Sequence, residues 1–459
     1  MTHLTSPRRR PASLARQFGL ALALASGTAV LAVPGFTDAA YAQKKKKKDE
    51  AAEAAKPVYS KAFVEAYQPL DVALKAPGAD FTALKPQVLA LLPLAVSPDE
   101  RQALGGMMFN TGISAKDQAL QLQGVDMMLA SGKVQPAEAG RFNLVGFQVA
   151  SSLKQYDQAR TYLQRAIDAN YTAPNITMAD LQMNMAELYF GENRNVEGLQ
   201  YLSDAIAAHK AKGEAVDPRW YRRGVSVAYT NEIVPQVYDF VTAWVTDNPA
   251  PENWRDAVNL TRNLNDFEPQ VLLDLLRLGK EVQTLKEKND FIYYIEAADA
   301  RRLPKEVKDI IDQAAAQGVI PKGSDSWVDE QLKIASGRIA ADRAELPALE
   351  RDANGSGATY RTVVAAGDAF LSYGEFAKAA TYYEKSLSLA GVDRNLALNR
   401  LGIAQIAAGN AVAARATLAQ VEGVRAPIAK LWGAYAAQKE AGAMVKDSMA
   451  SEAPATTGL

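Results

Sequence analysis

The chain has 459 residues, 51 basic and 52 acidic side chains for a formal net charge of −1, two histidines and no cysteine. A near-neutral balance implies no overall pull toward nucleic acid. The missing cysteine excludes disulfides, zinc–thiolate sites, thiol nucleophiles and a lipidated N-terminal cysteine, and His3 and His209 alone cannot build histidine metal clusters or Ser/His/Asp triads.

Residues 1–42 read as an export signal. Arg8, Arg9, Arg10 and Arg16 make a basic start, Phe18 to Val33 is an apolar run, and Ala40-Tyr41-Ala42 places small residues before a cut near Ala42. The run is shorter than the ~20 apolar residues of a spanning helix. Pro11 follows Arg9-Arg10 where a twin-arginine signal wants an apolar residue, so the general secretory route is expected, delivering the chain to a periplasm or, as the alternative, to the medium. Cleavage removes four arginines and Asp38, leaving 47 basic and 51 acidic side chains, a charge of about −4.

Residues 43–57 form a lysine-rich arm. Lys44, Lys45, Lys46, Lys47 and Lys48 repel one another and predict a solvated, disordered stretch. Such an arm can make weak contact with anionic envelope surfaces; with Asp49, Glu50 and Glu53 offsetting its charge, it equally serves as a spacer that keeps the cut site exposed.

From about residue 60 to 440 the hydrophobic period is helical. Tyr156, Ala159, Leu163, Ala166 and Ile167 share one face while Asp157, Arg160, Gln164 and Arg165 fall elsewhere. Glycines and prolines cut this region into segments of about 12–18 residues, and short helices joined by tight turns pack antiparallel. The pattern divides into an N-terminal array over 58–250, a divergent helical region over 251–351, a Gly/Ser/Asn linker over 352–358 that is the candidate hinge between two sub-arrays, a C-terminal helical part over 359–440, and a disordered tail over 441–459. In the divergent region, residues 271–278 and 291–295 are dense apolar runs read as buried helices. Pro427 to Lys439 reads as a capping helix, with Leu431, Trp432 and Tyr435 covering the last repeat.

A repeat runs through this pattern. Lys116-Asp117-Gln118-Ala119 returns forty residues later as Tyr156-Asp157-Gln158-Ala159, and its small residue recurs at Gly198, Ala379 and Ala414. One copy reads Gly367, Phe370, Gly374-Glu375-Phe376, Ala379, Tyr383 and Ser386; the next reads Gly402, Gln405, Gly409-Asn410, Ala414, Leu418 and Val421. Small residues at a crossing let helix axes approach to about 8 Å while larger neighbours fill the gap between repeats. The chain thereby resembles the tetratricopeptide-repeat superfamily, most clearly over 360–422, less so over 140–208, and weakly over 97–130 and 218–250. Phe147, Asn195 and Ala411 depart from the family pattern. The resemblance implies an all-α, right-handed superhelix of stacked antiparallel helix pairs.

It also implies where a partner binds: on the first helix of each repeat. Mapped onto this sequence, the partner-facing residues are Arg141, Gln148, Ser151, Asp180, Met183, Glu187 and Phe190 in the first array. Further along they are Arg219, Arg222, Ser226, Tyr229, Arg361, Asp368, Leu371, Asn399 and Ile403. Arg219, Arg222 and Arg223 offer one local basic patch for an acidic partner. The lysine/asparagine clamp by which some members hold chaperone termini is not reproduced.

Chemistry finds little support. Gly355-Ser356-Gly357 lacks the third glycine and preceding strand of a nucleotide loop, and no calcium or zinc-protease motif is present, so no catalytic, metal or cofactor residue is predicted. The expected function is a scaffold in the cell envelope that binds a protein or peptide. The alternative is a cell-wall (peptidoglycan) processing enzyme or its accessory subunit, for which residues 251–351 leave the only opening.

Overall fold

The computed structural model describes residues 57–451. The export signal, all but the last residue of the lysine arm, and residues 452–459 lie outside the described residues.

The chain divides into two compact units, Met1–Trp220 and Tyr221–Leu459. The first contains α1 (Lys61–Lys75), α2 (Phe81–Ala90), α3 (Pro98–Ser114), α4 (Gln118–Ala130), α5 (Pro136–Ser152), α6 (Tyr156–Asp168), α7 (Met178–Gly191) and α8 (Asn195–Ala211). The division falls inside α9 (Pro218–Thr230). The second unit continues with α10 (Val234–Asp247), α11 (Pro251–Asn263), α12 (Pro269–Glu281), α13 (Lys288–Ala298), α14 (Pro304–Ala316) and α15 (Ser326–Asn354). It ends with α16 (Tyr360–Ser372), α17 (Phe376–Ser386), α18 (Arg394–Ala407), α19 (Ala411–Leu418) and α20 (Ala426–Ser451). Among the described residues there is no strand, only an isolated bridge between Ala173 and Ile176.

The breakers sit at helix starts, where their chemistry fits. Pro98, Pro136, Pro251, Pro269 and Pro304 each open a helix at its first position, where the missing N–H costs no hydrogen bond. Asp117, Thr177, Thr359 and Asp393 cap α4, α7, α16 and α18 with side-chain oxygens that accept from the first turn. Between the helices of each hairpin the chain makes one recurring turn. A residue with positive φ ends the first helix, and the next amide donates to the carbonyl five residues back, which satisfies a helix-end acceptor. That residue is Lys116, Lys154, Asn193, Glu232 or Gln283 in five hairpins and Gly318, Gly374 or Gly409 in three more. The corresponding bonds run from Asp117 to Gly112, Gln155 to Ala150, Arg194 to Tyr189 and Ile233 to Ala228, and likewise through Glu375 to Phe370 and Asn410 to Gln405.

The two helices of a hairpin cross at a small residue facing a large one sixteen residues on. A Cβ at Gly146 would meet the Tyr162 ring at 2.8 Å and one at Gly367 the Tyr383 ring at 2.7 Å, while Gly224 faces Phe240 and Gly402 faces Leu418 in the same way. Ala159, Ala379 and Ala414 are fully buried and Gly198 is buried, as the repeat predicts. Both dense apolar runs of the divergent region are helices, α12 and α13.

Two expectations change. α15 runs 29 residues through Pro347 to Asn354, so the stretch 352–358 is its last turn and a short connection to α16. Ala353 there is fully buried and its carbonyl accepts from Lys385 Nζ at 2.8 Å, which leaves no loose hinge. α20 extends past residue 440 to Ser451, so residues 441–451, expected in a disordered tail, continue a helix.

Candidate binding surfaces and a buried ion network

In the first unit the helices pack on their chain neighbours, and the residues expected to face a partner lie on α5 and α7. Gln148 is exposed; Arg141, Ser151, Met183 and Glu187 are half-buried. Asp180 belongs to a closed arrangement. It caps its own helix through Thr177 and accepts from Arg219 Nη2 at 2.8 Å. Burial pushes its carboxyl up, but hydrogen bonds from Thr177 and Arg219 outweigh that and hold it below the usual range. Arg219 also donates to Asp217 at 2.6 Å. Two carboxylates therefore occupy this guanidinium, and the basic patch expected at Arg219 is neutralised at that position. Phe190 is buried, its ring lying over Gly198 in the α7–α8 crossing. It fills a packing gap instead of facing a partner.

In the second unit Arg222 and Arg361 are exposed and Arg223, Ser226 and Tyr229 half-buried, but Asp368, Leu371, Asn399 and Ile403 are buried. Asn399 and Ile403 lie on α18, against which α20 packs as it does on α10, α11, α12 and α19, and Asp368 on α16 is enclosed by Arg400, Arg302 and Tyr383. Trp432 Nε1 donates to the Asp274 carbonyl at 2.9 Å and Gln438 Nε2 to the Val245 carbonyl at 2.8 Å. The faces of α16 and α18 that the repeat assigns to a partner are inside the unit.

Beneath α20 lies a network of buried charges. Asp274, with no solvent exposure, accepts from Arg277 Nη1 at 3.1 Å, Asn399 Nδ2 at 3.1 Å, Arg400 Nε at 3.2 Å and Arg425 Nη1 at 2.5 Å. Arg400 Nη1 reaches both oxygens of Asp368 at 2.7 Å, and Arg302 Nη2 and Tyr383 Oη donate to the same carboxylate at 2.7 Å. Arg277 makes a two-pronged pair with Glu306 at 2.8 Å, and Tyr294 Oη donates to Glu306 at 2.7 Å. Three buried carboxylates thus face three buried guanidiniums and the half-exposed Arg302, so almost no net charge is stranded in low dielectric. Burial raises the carboxyls of Glu306 and Asp368, yet the neighbouring arginines win and hold both below their ordinary values. Sequence patterning missed this network because Asn399, Arg400 and Arg425 lie 125 to 151 residues from the Asp274 they bond; the one local hint is an acidic residue and an arginine inside the apolar run 271–278.

Next to the network is a cleft of about 250 Å³, with Tyr294, Leu371, Phe376, Ile403, Trp432 and Tyr435 among its walls and Lys280 and Ser372 also lining it. Among the described residues no group of three or more carboxylates or histidines is placed to hold a metal ion, and no helix is long and apolar enough to cross a membrane.

The chain matches no family model and no curated protein sequence. Among solved structures it is similar to a tetratricopeptide repeat protein from Parabacteroides merdae ATCC 43184, at 13% identity and a TM-score of 0.24 over 58% of this chain and 99% of that one. It is also similar to Naa15/Naa10 bound to HypK-THB, at 12% identity and a TM-score of 0.28, covering 79% of this chain and 66% of that chain. Its own hairpins α5–α6, α9–α10, α16–α17 and α18–α19, with a small residue under a large one and a left-handed turn residue between, make the chain an all-α protein of repeated helical hairpins.

Proposed function

We propose that this protein is an exported interaction scaffold that binds a protein or peptide partner in the cell envelope and performs no chemistry of its own. One observation carries the reading: the first helices of the hairpins in the first unit keep polar and flexible side chains, Gln148, Met183 and Glu187, at least partly open to solvent. No helix described in that unit packs across them as α20 does in the second. An uncovered helical face with adaptable Met and amide side chains suits an extended or helical segment of another chain. Export rests on the basic start, the apolar run and the small residues before Gln43.

Photo-crosslinkers placed at Gln148 and Met183, with Thr161 and Arg165 on α6 as controls, test the binding face in intact cells. The expected result is one recurrent cross-linked species from the α5 and α7 positions and none from α6. Equal trapping from both sets sinks the face assignment. Fractionation of the full chain beside one lacking residues 1–42 tests export: both versions in the same compartment removes that part.

A further inference from the structure

We infer that the amino-terminal corner of the first unit docks on an anionic lipid surface, through exposed apolar side chains of the corner and the lysines joined to it. Among the described residues eight large hydrophobic side chains stand exposed, and four of them, Val58, Val72, Leu92 and Val96, fall within residues 57–96. Three of the four lie together. Val58 is pinned beside the start of α3, its amide donating to Asp99 Oδ2 and its carbonyl accepting from Ser97 Oγ, both at 3.0 Å. Val96 is the neighbour of that serine, and its amide donates at 3.0 Å to the Leu94 carbonyl, in the single 3₁₀ turn that Leu92 opens. Val58 and Val96 are 69% and 73% exposed, so they protrude into solvent. Pro57 and Pro93, next to Val58 and Leu92 in the chain, are exposed as well.

The acids of the corner are already answered. Asp99 pairs with Lys133 at 2.9 Å and Glu65 with Lys61 at 3.7 Å, while Glu100 accepts from the amides of Ser60, Val96 and Ser97. The residues joined to it carry six lysines, Lys44 to Lys48 and Lys56, against Asp49, Glu50 and Glu53, a net charge of +3. Lys48 is nine residues from Pro57, which keeps it within about 30 Å of the corner. Peripheral binding draws on buried apolar area together with basic residues near anionic headgroups, and this end of the chain has both. A soluble polyanion would use the lysines and leave the valines in water. Protein interfaces are anchored by Trp, Tyr and Arg, but here Tyr59 is half-buried and stacked on Phe63, and Arg101 donates to the Val96 carbonyl at 3.1 Å. The partner face on α5 and α7 takes no part. The inference rests on the export reading only in treating residues 43–459 as the working chain, so vesicle binding can fail while the partner face and the export signal hold.

The chain without its export signal, which keeps every described residue, is mixed with vesicles of equal parts phosphatidylglycerol and phosphatidylethanolamine, or of phosphatidylcholine alone. Sedimentation reads the bound fraction. The anionic vesicles should bind about a hundredfold more tightly, since each unit of net charge is worth about fivefold at a charged leaflet, and high salt should remove most of the difference. Replacing Lys44 to Lys48 by glutamine should erase the preference between the two vesicles. Val58→Ser combined with Val96→Ser should weaken anionic binding about tenfold at an unchanged thermal midpoint, because both side chains face solvent in the folded chain. Val96→Trp should add emission that shifts to the blue on anionic vesicles, and Val196→Trp, exposed on α8, should not. Equal binding to both vesicles overturns the inference, as does anionic binding that survives the lysine replacement. Binding that ignores the valine substitutions, with no shift from Val96→Trp, also overturns it, because a charged arm alone would then account for the attraction to any polyanion. Should the valine pair unfold the chain, the lysine replacement and the Val96→Trp emission still decide.

Discussion

In the first unit, α5 and α6 meet where Gly146 lies under the Tyr162 ring, and the Tyr162 hydroxyl reaches Asp126 on α4. In the second, α16 and α17 meet where Gly367 lies under the Tyr383 ring, and the Tyr383 hydroxyl reaches Asp368. The crossings are alike; what lies behind them is not. The interior around Tyr162 is a cluster of apolar side chains such as Phe142, Leu163 and Leu181. Behind Tyr383 lies the buried carboxylate of Asp368, paired with Arg400 and Arg302, so polar residues have become interior. One hairpin grammar therefore serves both an uncovered face and a closed interior, and the second is built only where every buried charge finds an opposite one.

Removing the hub of that network tests the contrast most severely. Asp274→Ala leaves Arg277, Arg400 and Arg425 short of a counter-charge, and breaking a buried pair costs about 3–5 kcal/mol. Hydrogen exchange should rise sharply in α12, α18 and α20 while α5 to α8 keep their protection. Uniform loss in both units would show that the network is not what distinguishes them.

Acid should act on the same region. Glu306 and Asp368 are held below their unfolded values, so the stability they provide is full above the ordinary carboxyl range near pH 4 and is lost as pH falls through their lower folded values. In the first unit the comparable group is Glu100. Burial pushes it up, but hydrogen bonds from Ser97 and Ser60 outweigh this and hold it at about 2. Exchange measured between pH 5 and 2, a window of about three units around these carboxyls, should open α12, α14, α16 and α18 in the second unit and, in the first, α1 and the starts of α3 and α7.

The shared crossing predicts equal costs. Gly146→Val and Gly367→Val each force a branched side chain into a ring, which overpacking prices at about 1–3 kcal/mol. Denaturant midpoints should fall by similar amounts, and a large difference would mean that one crossing can relax. A smaller effect is expected at the turns. Lys154 holds a left-handed backbone that a side chain resists and Gly374 adopts freely, so Lys154→Gly should stabilise by about 0.5–1 kcal/mol and Gly374→Ala should destabilise by about 1 kcal/mol. Gln148→Ala, on the uncovered face, should shift stability by less than about 0.5 kcal/mol.

The turns also explain which repeats were legible. Where the left-handed residue is glycine, at Gly374 and Gly409, the hairpins α16–α17 and α18–α19 stand out in the sequence. Where it is Lys116, Lys154 or Glu232 the same turn forms without its usual marker, and the resemblance weakens. In the divergent region α11 stands between the hairpins α9–α10 and α12–α13, which shifts the phase of the repeat without changing its packing.

The candidate site divides in the same way. Gln148 and Met183 were readable as accessible because a position within one hairpin decides it. Asp368 and Asn399 hold equivalent places on their helices and carry the same polar signal, yet they are buried.

Local chemistry determined the helices, their caps and the small residues at each crossing, because each depends on neighbours within some sixteen positions along the chain. The return of α20, the pairing of Asp274 with Arg400 and Arg425, and the cleft beside them were decided only in three dimensions. A buried carboxylate and an exposed one are the same letter, and what separates them is whether a segment 151 residues away brings an arginine and excludes water.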